Sequence, residues 1–223
     1  MGTVDSRRTQ EGHSAMSCLL HVNASPRGSE SQSLAIAEAF LSTYRDRKPE
    51  IKIDTLNLFE DSLPAFATVG AAAKMAAFSG QEHTAEQTDA WSAARSVFDR
   101  FASADEYVFN VPMWNAGVPY PLKHWIDLVT QPGWAFGFDP GAGYSGLITG
   151  RRALVVYSSG VYAPGVPIEF GADFHGAFFN DWLRFVGITD VTELRFHASA
   201  LLEAPQGVLD SVRTRAKELA TTF

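Results

Sequence analysis

The sequence predicts one three-layer α/β domain built on a mostly parallel sheet. Three observations carry that expectation. Short apolar runs rich in β-branched and aromatic residues recur along the chain, as at Cys18–Val22, Tyr107–Val111 and Arg152–Tyr157. Between them, apolar residues recur at spacings of three and four, the period of a helix face. The first stretch reads strand, loop, helix, strand, a βαβ unit whose crossover brings two parallel strands together.

The elements follow in order. Cys18-Leu19-Leu20-His21-Val22 is the first strand. A hydroxyl-rich loop, Asn23–Ser33, ends in good N-cap residues, and Leu34, Ala37, Phe40, Leu41 and Tyr44 then mark a helix that Pro49 stops. Ile51–Leu56 alternates apolar and polar as a second strand. Asp61–Gly80 is long for a loop, with a short helix expected at Ala71–Phe78. Thr84 with Gln87 resembles a capping box ahead of a helix carrying Trp91, Ala94, Val97, Phe98 and Phe101. Tyr107–Val111 is the third strand, and Leu122–Val129 is an amphipathic helix on which His124 is expected at the surface or in a dimer contact rather than as a metal ligand. Trp134–Phe138 with Gly141, Gly143 and Gly146 reads as an irregular aromatic hairpin outside the core. Arg152–Tyr157 is the fourth strand. Phe174, Phe178, Trp182, Phe185 and Val186 form a helical stripe, Thr189–Ala198 contains the fifth strand, and Leu209, Val212, Ala216 and Leu219 mark the last helix.

Composition narrows the function classes. With 46% hydrophobic and 19% charged residues, the chain is an ordinary globular protein, and 223 residues can bury a sizeable core. A formal net charge of −7 argues against nucleic acid as the main partner. No apolar run approaches the roughly 18 residues that would span a bilayer, so no membrane partner is expected. Residues 1–16 are polar, lack an apolar signal core and read as a flexible leader, so the expected location is cytoplasmic. The single cysteine, Cys18, starts an apolar strand and is expected buried and inert.

Three loops should meet at the carboxyl end of the sheet, where open α/β sheets bind ligands. In Ser25–Ser33, Ser31 and Ser33 supply hydroxyls beside a helix N-terminus, and Arg27 adds charge, a set suited to phosphate. An N-cap with a solvated turn accounts for the serine run equally well. In Pro112–Pro119, two prolines stiffen a loop carrying Met113, the Trp114 indole, the Asn115 amide, Ala116 and Gly117, so that it can lie against a flat aromatic ligand. An ordinary Pro-rich connection is the alternative. The third loop is Ser158–Tyr162. Gly-x-x-x-x-Gly-Lys-Ser/Thr, Gly-x-Gly-x-x-Gly and Gly-x-Ser-x-Gly are all missing, which sets aside P-loop, standard Rossmann and hydrolase-elbow chemistry. The histidines are dispersed, and no metal site is supported.

Ala24–Ser33 resembles the flavin-phosphate loop of the FMN-dependent NADH-azoreductases, within the wider NAD(P)H:quinone oxidoreductase group. Pro112-Met113-Trp114-Asn115, Pro119, Leu122-Lys123 and Ile126-Asp127 resemble that family's isoalloxazine loop and helix. Phe136, Gly146-Leu147, Thr149-Gly150 and Phe185–Asp190 also match its patterns. The resemblance implies a flavodoxin-like α/β/α domain over 17–223 with a five-stranded parallel sheet. It implies FMN as cofactor, NADH or NADPH as donor, and two-electron ping-pong reduction of a quinone or azo acceptor. The rival reading is a flavodoxin-like electron carrier that turns over NAD(P)H poorly. Carried over by position, phosphate contacts fall on Ser25, Ser31, Gln32 and Ser33. Ring contacts fall on Pro112, Met113, Trp114, Asn115 and Ala116, and the flavin-edge loop on Ser158, Ser159, Gly160 and Val161. The flavin carries the chemistry, with Tyr162 as a proton donor to the acceptor or else a pocket-wall aromatic. A homodimer is implied, with Phe136 and Phe138 covering the partner's flavin. Two positions depart from the family pattern: many members have Phe at Ala116 and a second glycine at Val161.

Overall fold

The computed structural model describes residues 17–223. The expected leader, residues 1–16, lies outside the described residues. The chain runs β1 (Cys18–Asn23), α1 (Gln32–Arg47), β2 (Lys52–Asn57), α2 (Thr68–Phe78), α3 (Ala85–Ala102), β3 (Glu106–Pro112), α4 (Tyr120–Val129), β4 (Phe136–Asp139), β5 (Gly143–Gly146), β6 (Arg152–Ser158), α5 (Phe174–Val186), β7 (Asp190–Phe196) and α6 (Pro205–Leu219). Five strands form one sheet in the order β2-β1-β3-β6-β7, every neighbouring pair parallel. This is the flavodoxin-like fold.

Two cores account for the layers. On one face α1 and α6 bury Ile36, Phe40, Tyr44 and Ala216 against Val108, Leu154 and Val156. On the other, α3, α4 and α5 bury Phe98, Phe101, Trp125, Phe179 and Trp182 against Tyr107, Phe109 and Val155. Full burial of each Ile, Leu, Val or Phe side chain among these is worth about 1.5–3 kcal/mol. The expected capping box is present: the Thr84 hydroxyl accepts from Gln87 N, and Gln87 Oε1 accepts from Thr84 N.

The structure corrects several expectations. The α5 face is rotated from the expected stripe. His175, Phe179, Trp182, Leu183 and Val186 are buried, while Phe174 is 67% exposed. A histidine in a core position breaks an apolar pattern, which is why the stripe reads one residue out of phase. The aromatic hairpin is also less peripheral than its glycines imply. β4 and β5 pair antiparallel, and Phe136 is 7% exposed, its ring against Phe185 and Tyr144 of its own chain. A Cβ on Gly146 would stand 2.2 Å from Gly187 N, so glycine permits the hairpin to seat on the end of α5. Helix α2 begins three residues before Ala71, and His124 does not simply face outward: it bonds the Pro64 carbonyl at 2.9 Å, tying the long loop to α4. Cys18 is half-buried, and burial followed by the Asp54 carboxylate raises its pKa, the unreactive direction. Among the described residues no helix is long and apolar enough to cross a membrane.

Candidate functional site

Chain direction across the sheet reverses between β1 and β3, so the loops leaving their carboxyl ends flank a crevice of the kind that binds ligands in doubly wound folds. The register places Asn57, Asn23 and Asn110 side by side across β2, β1 and β3 at that end. Asn110 is fully buried. Its Nδ2 donates to Asn23 Oδ1 at 2.7 Å, and its Oδ1 accepts from His21 Nε2 at 2.9 Å. Asn23 Oδ1 also accepts from Ser25 N at 3.0 Å, while the Asn110 carbonyl accepts from Ala24 N at 3.1 Å. Amides in mid-strand are costly to bury unless satisfied. Here they fix the start of the first loop to β3. Burial is the main cause that lowers the His21 pKa, in keeping with a neutral ring that donates through Nε2.

The first loop is a 3₁₀ turn, Gly28–Glu30, followed by α1. Ser31 is the N-cap, accepting from Leu34 N at 3.2 Å, and its hydroxyl lies 3.3 Å from that of Ser33. Ser25, Ser31 and Ser33 are each 3% exposed or less. So Ser31 caps the helix and the turn at residues 26–30 is solvent-exposed, yet the serines on either side of it are buried, with the Ser31 and Ser33 hydroxyls together beside the unbonded amides of the helix's first turn. Gln32 is half-buried in that turn, and Arg27 is exposed beside it.

The second loop is a two-residue hairpin. Trp114 and Gly117 exchange both backbone hydrogen bonds at 2.9 Å. Asn115 and Ala116 between them have φ of 48° and 66°, the primed turn that suits glycine best. A non-glycine pair in that region stores backbone strain of order 1–3 kcal/mol per residue, a feature that clusters at functional sites. Among the described residues, the Asn115 and Ala116 amides and the Asn115 side chain have no protein partner. Met113 N is already spent on the Ser158 carbonyl at 2.7 Å, which ties this loop to the third. Trp114 does not stand alone. The rings of Phe59 and Tyr120 lie 5.5 and 6.4 Å from it.

The third loop divides the expected residues into two kinds. Gly160 and Val161 are exposed, and among the described residues their amides have no protein partner. A Cβ on Gly160 would meet nothing within 4 Å, so its bare backbone faces open space. Ser159 is different. It is 5% exposed, its amide donates to the Phe196 carbonyl, and its carbonyl accepts from Ser199 N and Ser199 Oγ. Its hydroxyl donates to the Tyr162 carbonyl and meets Ala198 N and His197 Nδ1. Ser159 therefore supports the loop and has no group left for a ligand. Tyr162 is half-buried with its ring against His197, and Phe138 is 52% exposed. Phe136, by contrast, is packed within its own chain against Phe185. Among the described residues no group of three or more His, Cys, Asp or Glu is arranged to hold a metal ion.

Comparison with known proteins fits this geometry. The model of the flavodoxin-like fold family matches residues 17–219. An FMN-dependent NADH:quinone oxidoreductase of Ruegeria pomeroyi is 47% identical over 195 residues, covering 87% of this chain and 96% of that one. A protein of the same name from Desulfotalea psychrophila is 35% identical, covering 92% and 97%. The solved FMN-dependent NADH-azoreductase of Bacillus anthracis, in complex with FMN, superposes with a TM-score of 0.83 at 26% identity, over 93% of this chain and 99% of that one. A matching family model and relatives aligned over nearly their whole length leave one assignment: this chain belongs to the flavodoxin-like family that contains the FMN-dependent NADH:quinone oxidoreductases.

Proposed function

We propose that the chain is an oxidoreductase that binds FMN and passes electrons from NADH to a quinone or azo acceptor. The observation that carries this reading is the meeting, at the sheet's switch point, of buried hydroxyls on a helix N-terminus with free amides on two turns. That donor set fits FMN: Ser25, Gln32, Ser31 and Ser33 suit its phosphate, and the amides of Asn115, Ala116, Gly160 and Val161 suit the carbonyl edge of its ring. Arg27 lies outside the buried set and adds charge only. Bound FMN supplies the electron-transfer chemistry, and the protein contributes position and electrostatics. Donor and acceptor would use one face in turn, a two-electron ping-pong scheme. Trp114, Phe59 and Tyr120 offer that face flat aromatic walls, and Tyr162 stands at its margin. The relatives' names support NADH as donor, FMN as cofactor and quinones or azo compounds as acceptors. Residues 17–223 would form the binding unit, in the cytoplasm.

The test is anaerobic. Cofactor released by heat is expected to be FMN, and NADH is expected to bleach the bound flavin within milliseconds to seconds, faster than NADPH. A second addition, of quinone or azo dye, should restore the colour. Reduction no faster than that of free flavin would return the chain to the electron-carrier reading.

Two predictions follow from this site. Asn115→Ala is expected to shift the midpoint potential of bound FMN and slow its single-turnover reduction, because the free amide offers both donor and acceptor to the ring edge. Parent-like potential and rate at saturating FMN would remove that role and leave Asn115 as a turn residue. The second concerns assembly. We propose a homodimer joined through the hairpin face, where Phe138, Tyr144 and Leu147 are 52%, 62% and 46% exposed. Sedimentation at micromolar concentration is expected to give twice the chain mass, and Phe138→Asp to shift the equilibrium to monomer. A fully active parent monomer would contradict it.

A further inference from the structure

We propose that His197 is a positioning residue for the Ser158–Val161 loop, acting through Ser159 and held in place by Arg195. The inference rests on the FMN reading only in what the loop is for. The geometry itself fixes the protonation pattern. A serine hydroxyl has one proton and two acceptor sites. The Tyr162 carbonyl can only accept, so that proton goes to it, and Ser159 Oγ accepts from His197 Nδ1 at 2.8 Å and, as the longer branch of the bond that Ala198 N makes to the Tyr162 carbonyl at 3.0 Å, from Ala198 N at 3.3 Å. His197 is therefore the Nδ1–H tautomer, and its Nε2 presents a lone pair. Arg195 Nη1 lies 3.4 Å from that lone pair and donates to it.

Arg195 is itself clamped. It pairs with Glu193 and with Asp173, and its guanidinium lies 4.7 Å from the centroid of the Tyr157 ring. Burial and the Arg195 charge lower the His197 pKa, which keeps the ring in the neutral form this geometry needs. The result is a directional chain from edge strand β7 to the third loop: Arg195 to His197 to Ser159 to the Tyr162 carbonyl. Backbone bonds run alongside it, from Ser199 N to the Ser159 carbonyl and from Ala200 N to the Gly160 carbonyl. With Ser159 saturated from behind, the free amides of Gly160 and Val161 are held outward. His197 touches no ligand in this scheme. It sets where those amides point.

Three variants test it. His197→Asn keeps a donor near the place of Nδ1, whereas His197→Gln carries its amide where Nε2 stands, and His197→Ala carries none. Amide hydrogen exchange of the full-length protein, with and without FMN, is the first readout. His197→Gln and His197→Ala are expected to speed exchange at Ser159, Ala198, Ser199 and Ala200 by about fivefold to tenfold, the worth of one neutral hydrogen bond, with His197→Asn near the parent. The second readout is the visible circular dichroism of bound FMN, expected to change in the first two variants and recover in His197→Asn. Parent-like exchange in His197→Gln, or equal loss in His197→Asn and His197→Gln, would overturn the proposal. If the parent bound no FMN, the functional reading would fail, and the exchange pattern would still decide the role of His197. If His197→Ala does not fold, the Asn and Gln pair carries the comparison.

Discussion

Ser31→Ala combined with Ser33→Ala is expected to weaken FMN binding by about 3–6 kcal/mol, two charge-assisted hydrogen bonds at roughly 1.5–3 kcal/mol each. Both hydroxyls are buried beside the first turn of α1, where the helix dipole favours an anion. The two serines are not equivalent. Ser31 is also the N-cap, so Ser31→Ala alone should cost about 1 kcal/mol of folding stability even without flavin. Ser33 has no such second duty, so Ser33→Ala should weaken FMN binding with little effect on unfolding of the flavin-free protein. Flavin fluorescence titration beside urea unfolding of the apoprotein separates the two. Unchanged flavin affinity in the double variant would dismiss the phosphate assignment.

The serine loop shows what the sequence could reveal. Its hydroxyls and the helix that follows are local, and local pattern placed α1, the capping box at Thr84 and all five strands of the main sheet to within a few residues. The site's supports are not local. Asn110 interrupts an apolar run, a visible signal, but its partner Asn23 emerges only from the pairing of β1 with β3. His197 and Ser159 are distant in sequence and meet only because β7 lies beside β6. Phe59 joins Trp114 through the loop after β2, which carries no motif of its own. Phe136 and Phe138, two residues apart, share one face of β4, and both rings lie against Tyr144; they differ in exposure because Phe136 packs on Phe185 of α5 while Phe138 lies nearer the hairpin's tip. The family resemblance gives them one shared role, and the seating of the hairpin on α5, which no local pattern shows, gives them unequal exposure.

Folding stability is expected to fall by about 3 kcal/mol as pH drops from 6.5 to 4, through His175 alone. His175 is fully buried in the first turn of α5, and its Nε2 donates to the Val111 carbonyl at 2.7 Å, immediately before the second site loop. Among the described residues its Nδ1 has no hydrogen-bond partner, and the Asp173 carboxylate is 4.0 Å away. Burial dominates and pushes the pKa down to about 4 from an ordinary 6.5. Between those values the unfolded chain binds a proton that the folded chain refuses. Stability contributed by the neutral ring is therefore complete above pH 6.5 and lost as pH falls towards 4. His21 and His197, whose pKa values are also lowered chiefly by burial, act in the same direction, so the parent should show at least this slope. His175→Asn removes one titrating group. At pH 7 it should be less stable by about 1–3 kcal/mol, because the Val111 carbonyl loses its buried donor. From pH 6.5 to 4 its stability should fall less steeply than the parent's, so that the two curves converge in acid. Urea unfolding at half-unit pH steps measures both curves. Parallel curves would mean that His175 titrates alike in the folded and unfolded chain, and the geometry beneath the second loop would then need another account of its buried, unpartnered nitrogen.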